Sequence, residues 1–105
     1  MIEITRTYDI LPDVDPQTYS EFAEKVIGAL LKAPGFIEFR GNRNLLGSPQ
    51  ARSTQVWQSL ADWVKFTESA EYSEFEAESR SFITNMKVEI WGPSPVVPEP
   101  LRPGT

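Results

Sequence analysis

The chain predicts an α+β sandwich in which two helices cover one face of a four-stranded antiparallel sheet. Three observations predict it. Apolar and polar residues alternate in four short stretches, apolar residues recur at steps of three and four in two longer ones, and turn or capping residues separate them. The resulting order is β-α-β-β-α-β followed by a tail, the segment order of the ferredoxin-like fold.

The first strand covers residues 2–10. Ile2, Ile4, Arg6, Tyr8 and Ile10 share one face, and Glu3, Thr5, Thr7 and Asp9 share the other. Pro12 ends it, having no amide to donate. Asp15 is a good N-cap, and Pro16 suits the first helical position, where a missing N–H costs nothing. Tyr19, Phe22, Ala23, Val26, Ile27 and Leu30 then form a stripe of helical period, which Ala33-Pro34-Gly35 stops.

Phe36 to Arg43 reads as the second strand, with Phe36, Glu38, Arg40 and Asn42 on one face and Ile37, Phe39 and Gly41 on the other. Gly47-Ser48-Pro49 is a turn signal, and Arg52 to Gln58 is the third strand. Ser59, with Asp62 three residues on, resembles a capping box and opens the second helical region. Trp63, Phe66, Thr67 and Ala70 give one stripe there; Tyr72, Phe75, Ser79 and Phe82 give another, slightly rotated. A break near Ser69 is expected between them. Thr84 to Trp91 is the fourth strand. Residues 92–105 hold five of the nine prolines and form an extended tail, so the fold is assigned to residues 1–91.

Composition narrows the chemistry. The 105 residues make one domain, and the net charge of −5 argues against a nucleic-acid partner. The sequence has no apolar run long enough for a membrane span and no signal-peptide pattern, so the cytoplasm is the expected location. There is no Cys and no His. Thiol nucleophiles, thiolate metal sites, histidine bases and histidine haem ligands are all excluded. Any catalysis must use carboxylates, Arg, Lys, Tyr, hydroxyls, amides, or reactivity carried by the substrate.

Strict alternation places Ile37, Phe39 and Val56 opposite Phe36, Arg40 and Trp57, so both sheet faces carry large apolar groups. The face without helices then needs a cover. A homodimer through the sheet faces is expected, the alternative being that the proline-rich tail folds over that face.

The passage Val56-Trp57-Gln58-Ser59-Leu60-Ala61-Asp62-Trp63, continuing to Ser69-Ala70-Glu71-Tyr72, resembles the antibiotic biosynthesis monooxygenase family. Ala33-Pro34-Gly35-Phe36 resembles the family's lead into its second strand. The resemblance covers about residues 1–91 and implies a dimeric α/β barrel with a pocket between sheet and helices. Some members oxidise phenols with molecular oxygen and no cofactor; others break down haem. The haem-degrading set is missing: its Trp position falls on Phe66, its His position on Glu76, and the first strand offers Arg6, Thr7 and Tyr8 but no Asn.

The expected activity is therefore a cofactor-independent monooxygenation of a flat phenolic or enolic small molecule, with no metal. Arg6 on an apolar strand face would hold an anionic oxygen and Tyr8 would donate to it; the alternative is that Arg6 sits in a structural ion pair with Glu38 or an acidic helix residue. Arg40 and Asn42 would assist if their face meets the helices. Trp57, Trp63, Phe66 and Tyr72 would stack a planar ligand, or simply form core. The acidic run Asp62, Glu68, Glu71, Glu74, Glu76 and Glu78 reads as a solvated helix face. A non-catalytic binding or structural homodimer is the rival reading, and an isomerase or decarboxylase working through a carboxylate such as Glu38 is a third.

Overall fold

A computed structural model describes residues 1–104. The elements are β1 (Ile2–Ile10), α1 (Pro16–Lys32), β2 (Phe36–Arg43), β3 (Ala51–Trp57), α2 (Leu60–Thr67), α3 (Ala70–Ser79) and β4 (Ile83–Trp91). The sheet is antiparallel, in the order β2-β3-β1-β4. This is the ferredoxin-like α+β fold, with the second helical region divided in two.

Capping explains each helix start. The Asp15 carboxylate accepts from the Thr18 amide at 3.0 Å, with Pro16 following. Ser59 Oγ accepts from the Asp62 amide, and Ser69 Oγ accepts from the Tyr72 amide. The Ser69 cap is the expected break, and it lets α3 start in a new direction.

The two motifs that resemble a family meet in one joint. Gly35 adopts φ +85°, and a Cβ there would collide with the Asp62 side chain. The Gly35 carbonyl accepts from the Gln58 amide at 2.8 Å. Pro34-Gly35 thus turns α1 into β2 directly against the start of α2.

The core lies between sheet and helices. Ile4, Leu30 and Trp57 are completely buried, and Ile2, Val26, Phe36, Phe39, Trp63 and Phe66 pack around them. Phe39 corrects the strict alternation expected for β2. Its register slips between Phe36 and Glu38, so Phe36 pairs with Trp57 and Phe39 with Gln55. The extra residue puts both phenylalanines on the helix side and turns Glu38, Arg40 and Asn42 outward, beside Val56, Thr54 and Arg52.

The outer face is consequently more polar than alternation predicted. At paired positions it carries Glu3, Thr5, Thr7, Arg40, Arg52 and Thr54, with Val56 and Trp91 as its apolar members. Exposed aliphatic groups lie instead on the helix side of edge strand β4, where Val88 and Ile90 stand opposite Arg6 and Ile4. Residues 92–104 form neither helix nor strand. Among the described residues no helix is long and apolar enough to cross a membrane.

Candidate functional site

Between β1 and the helices, beyond the packed core, the sandwich opens into a cavity of about 110 Å³. That is several times the ~10–15 Å³ needed for a single water. Alternation along β1 brings Ile4, Arg6 and Tyr8 to the same side, so the strand passes from core into cavity wall within one period. Helix α1 supplies Tyr19, Phe22, Val26 and Ile27; α3 supplies Tyr72, Phe75 and Glu76. A second register shift, in β4 beside Asp9, brings Ile83 and Met86 to the rim. Bulges beside a cavity re-aim side chains in this way.

The polar groups sit in two clusters. In the first, Arg6 Nη1 donates to Glu76 Oε1 at 2.8 Å and Arg6 Nη2 donates to the Tyr72 hydroxyl at 2.9 Å. The guanidinium also lies 5.8 Å from the centre of the Tyr72 ring. The Arg6 side chain is 15% exposed and that of Glu76 is 40% exposed. Burial lowers the guanidinium's pKa, but the Glu76 and Tyr72 contacts outweigh it, so the net direction is up and Arg6 stays charged. Its Nε is buried with no hydrogen-bond partner.

In the second cluster the hydroxyls of Tyr8 and Tyr19 lie 3.1 Å apart. Burial, then the hydrogen bond with Tyr19, pushes the Tyr8 pKa far above the ordinary phenol value. Tyr8 is therefore a neutral donor at physiological pH and no base. The surface between the clusters is aromatic and aliphatic. Trp57, Phe66 and Tyr72 form a chain of contacts, with ring centres 5.5 Å and then 5.8 Å apart.

The structure brings Arg6, Tyr8, Phe66 and Tyr72 together around this cavity. Five other candidates lie elsewhere. Arg40 bonds to Glu38 and Glu3, and Asn42 accepts from Arg52 at 3.2 Å, all on the outer face. The β2 bulge is the reason, because it reverses the facing of everything after Ile37. Glu38, bonded to Arg40, is likewise away from the cavity. Trp57 is a core residue whose Nε1 donates to Gln55 Oε1 at 3.1 Å, and Trp63 packs against the same core with its Nε1 unpartnered.

Sequence reasoning assigned Glu76 to a solvated helix face and left Tyr19 in a core stripe. Two signals pointed to them. Glu76 occupies the position where the haem-degrading pattern carries a His. Tyr19 is the one residue with a hydroxyl among the apolar positions of α1's stripe. Arg6 pairs with an acidic helix residue, one of the two alternatives the sequence left open, and that residue is Glu76. Among the described residues no group of three His, Cys, Asp or Glu side chains could hold a metal ion.

No family model matches the sequence, and no curated protein sequence matches it. Solved structures do share its fold. A point mutant of SnoaB, a cofactor-independent oxygenase from Streptomyces nogalater, superposes with a TM-score of 0.78 at 11% identity, over 93% of this chain and 97% of that one. The hydroxynitrile lyase of Passiflora edulis gives 0.74 at 14% identity, over 86% and 90%. A dimeric ferredoxin-like protein of unknown function from Thermobifida fusca gives 0.69 at 8% identity, over 86% and 88%. Identities this low establish a common fold and nothing finer.

Proposed function

We propose that this protein is a cofactor-independent monooxygenase of the antibiotic biosynthesis monooxygenase type, acting on a small flat phenol or enol bound in the cavity of Arg6 and Tyr8. One observation carries the proposal: a largely buried, charged arginine with an unpartnered Nε–H lies in the wall of a largely apolar cavity. Such a group binds a developing oxyanion strongly, because the low-dielectric surroundings screen it little. Arg6 holds the phenolate or enolate oxygen. Tyr8, kept protonated by burial, donates to a second oxygen or to the incoming dioxygen. Phe66 and Tyr72 hold the ring plane.

The protein supplies orientation and charge stabilisation, and the substrate supplies every electron. For a methylene activated by an adjacent phenol or ketone, the carbanion adds dioxygen, the hydroperoxide loses water, and CH2 plus O2 becomes C=O plus H2O. No external reductant is consumed. The S. nogalater neighbour, described as a cofactor-independent oxygenase, supports this reading by fold.

The test is oxygen uptake, followed with an electrode, over anthrone-like and hydroquinone-like substrates. Uptake that requires Arg6 is expected; a complete absence of turnover on the panel sinks the assignment. That outcome would favour a binding protein, a reading for which the existing Arg6–Glu76 ion pair speaks.

The proposal extends to assembly. The outer sheet face carries Glu3, Glu38 and Glu89 with Arg40, Arg52 and Lys87, a mixture of signs that two copies related by a twofold axis can match. Val56 provides an apolar point near its middle, beside Thr54. Pairing of two such faces would build a dimeric α/β barrel from residues 1–91, with residues 92–105 as an appended tail. Native mass spectrometry reads this directly, and a bare monomer at micromolar concentration would refute it.

A further inference from the structure

We propose that Glu76 is the base of this site, and that the cavity admits its ligand as a neutral acid and ionises it in place. The inference rests on the binding of a phenol or enol argued above, and it adds the proton acceptor and the charge state of the ligand that enters. Its basis is the arrangement around Arg6. At rest the guanidinium is already neutralised by Glu76, 2.8 Å away.

An anion arriving from solution would make two negative charges share one positive charge in a largely apolar cavity. Like charges brought together out of water oppose ionisation of both. A neutral phenol or enol meets no such penalty. Once it is bound beside Arg6, its proton passes to a Glu76 carboxylate oxygen. The O–H bond of the ligand breaks with its electron pair left on the ligand oxygen, and an O–H bond forms on Glu76. Glu76 becomes neutral, and the new anion takes its place as the counterion of Arg6. The net charge of the cavity is unchanged throughout.

The surroundings suit this exchange. The other titratable groups lining the cavity are Tyr8 on β1, Tyr19 on α1 and Tyr72 on α3. Burial and the Tyr19 contact keep Tyr8 neutral. The lining from β2, β3, α2 and β4 is Phe39, Ser53, Gln55, Phe66, Ile83 and Met86, none of which carries charge. Arg6, with its side chain 15% exposed, has little access to solvent, so its positive charge is balanced from within the cavity, by Glu76 or by the ligand anion that replaces it.

The experiment is anaerobic binding of p-nitrophenol to the wild-type protein and to Glu76→Gln, from about pH 6 to 9. The probe ionises within this range, and its acid and anion absorb differently. For the wild type, affinity should be flat while the free probe is neutral. It should then fall about tenfold per pH unit above the probe's own pKa, because the neutral fraction is the binding-competent one. Glu76→Gln leaves Arg6 uncompensated, so its affinity should rise about tenfold per unit up to that pKa and then level off.

A wild-type affinity that climbs with pH, matching profiles in the two proteins, or no binding by either overturns the proposal. If the variant does not fold, the wild-type profile decides alone, together with uptake of one proton per probe bound at high pH, read in unbuffered solution. The two readings fail separately. Inverted binding profiles without oxygen uptake on any substrate would remove the oxygenase and keep the base. Undiminished oxygen uptake in Glu76→Gln would do the reverse.

Discussion

One strand face, two environments: along β1, Ile4 is sealed between Leu30 and Trp57, while Arg6 and Tyr8, one and two pleats on, border open space. The closed end is mainly apolar contact, with one buried side-chain hydrogen bond from Trp57 Nε1 to Gln55. Phe36 packs edge-on to Trp57 at 5.1 Å, and the joint of Gly35, Ser59 and Asp62 locks α1, β2 and α2 beneath it. The open end carries every buried hydroxyl and charge that could meet a ligand. The contrast teaches a division of labour: stability is concentrated where the helices meet the sheet with few polar groups, which leaves the other end free to hold an arginine, a carboxylate and three tyrosine hydroxyls around a cavity.

Substitutions at each end sharpen or break that division. The largest effect is expected for Trp57→Ala, which empties the centre of the closed end and should cost about 3–5 kcal/mol in chemical denaturation. That is a large part of the roughly 5–15 kcal/mol available to a domain of this kind. A mild loss would mean that the stability lies elsewhere. Next comes Arg6→Met at the open end. Oxygen uptake should fall about 100-fold, as for loss of an oxyanion donor. Stability should move by no more than about 1 kcal/mol, because Glu76 is 40% exposed and can rehydrate. A collapse of stability instead would make Arg6 a structural residue and abolish the distinction between the ends.

Gly35→Ala tests the joint of the closed end. Its positive φ and the Asp62 side chain both oppose a Cβ, so a loss of about 2 kcal/mol is expected from the midpoint of urea unfolding. Tyr8→Phe should cost about tenfold in oxygen uptake, on the order of one hydrogen bond. It should also alter the alkaline limb of stability. The folded-state pKa of Tyr8 lies above the ordinary 10.0, so the native state holds this proton more tightly than the unfolded chain. Its contribution is complete below that value and declines as pH rises beyond it, towards the folded pKa. Tyr8→Phe should lack this particular decline when denaturation is followed from pH 9 upwards. The smallest effect is expected for truncation after Gly92. The tail's own hydrogen bonds are local, from the Val96 and Val97 amides to Ser94 Oγ, so the melting temperature should hardly change.

The elements were legible because each one's signals are local. The caps Asp15, Ser59 and Ser69 stand where the side-chain chemistry placed them, and the apolar stripes and faces that hold Ile4, Leu30 and Phe66 turn inward, whereas the sequence leaves the facing of Trp57 on β3 open. Strand ends moved by a single residue at β3 and β4. The failures share one cause. Alternation assumes an unbroken pleat, and β2 has an extra residue after Phe36 that nothing in its composition announces. That one residue moved Phe39 inward, sent Arg40 and Asn42 outward, and made the outer face polar.

Sequence alone determined the element order, which residues share the apolar face of β1, the positions of the caps, and the exclusion of His and Cys chemistry. Each of these depends on residues adjacent in the chain or one helical turn apart. Tertiary structure decided which charge meets which. Arg6 and Glu76 are separated by 70 positions, and Tyr8 and Tyr19 by 11. Whether such pairs touch depends on strand register, on the angle at which α3 leaves the Ser69 cap, and on where the sheet bulges. Those are settled by packing over long range, so the cavity that unites the four residues exists only once the sandwich has closed.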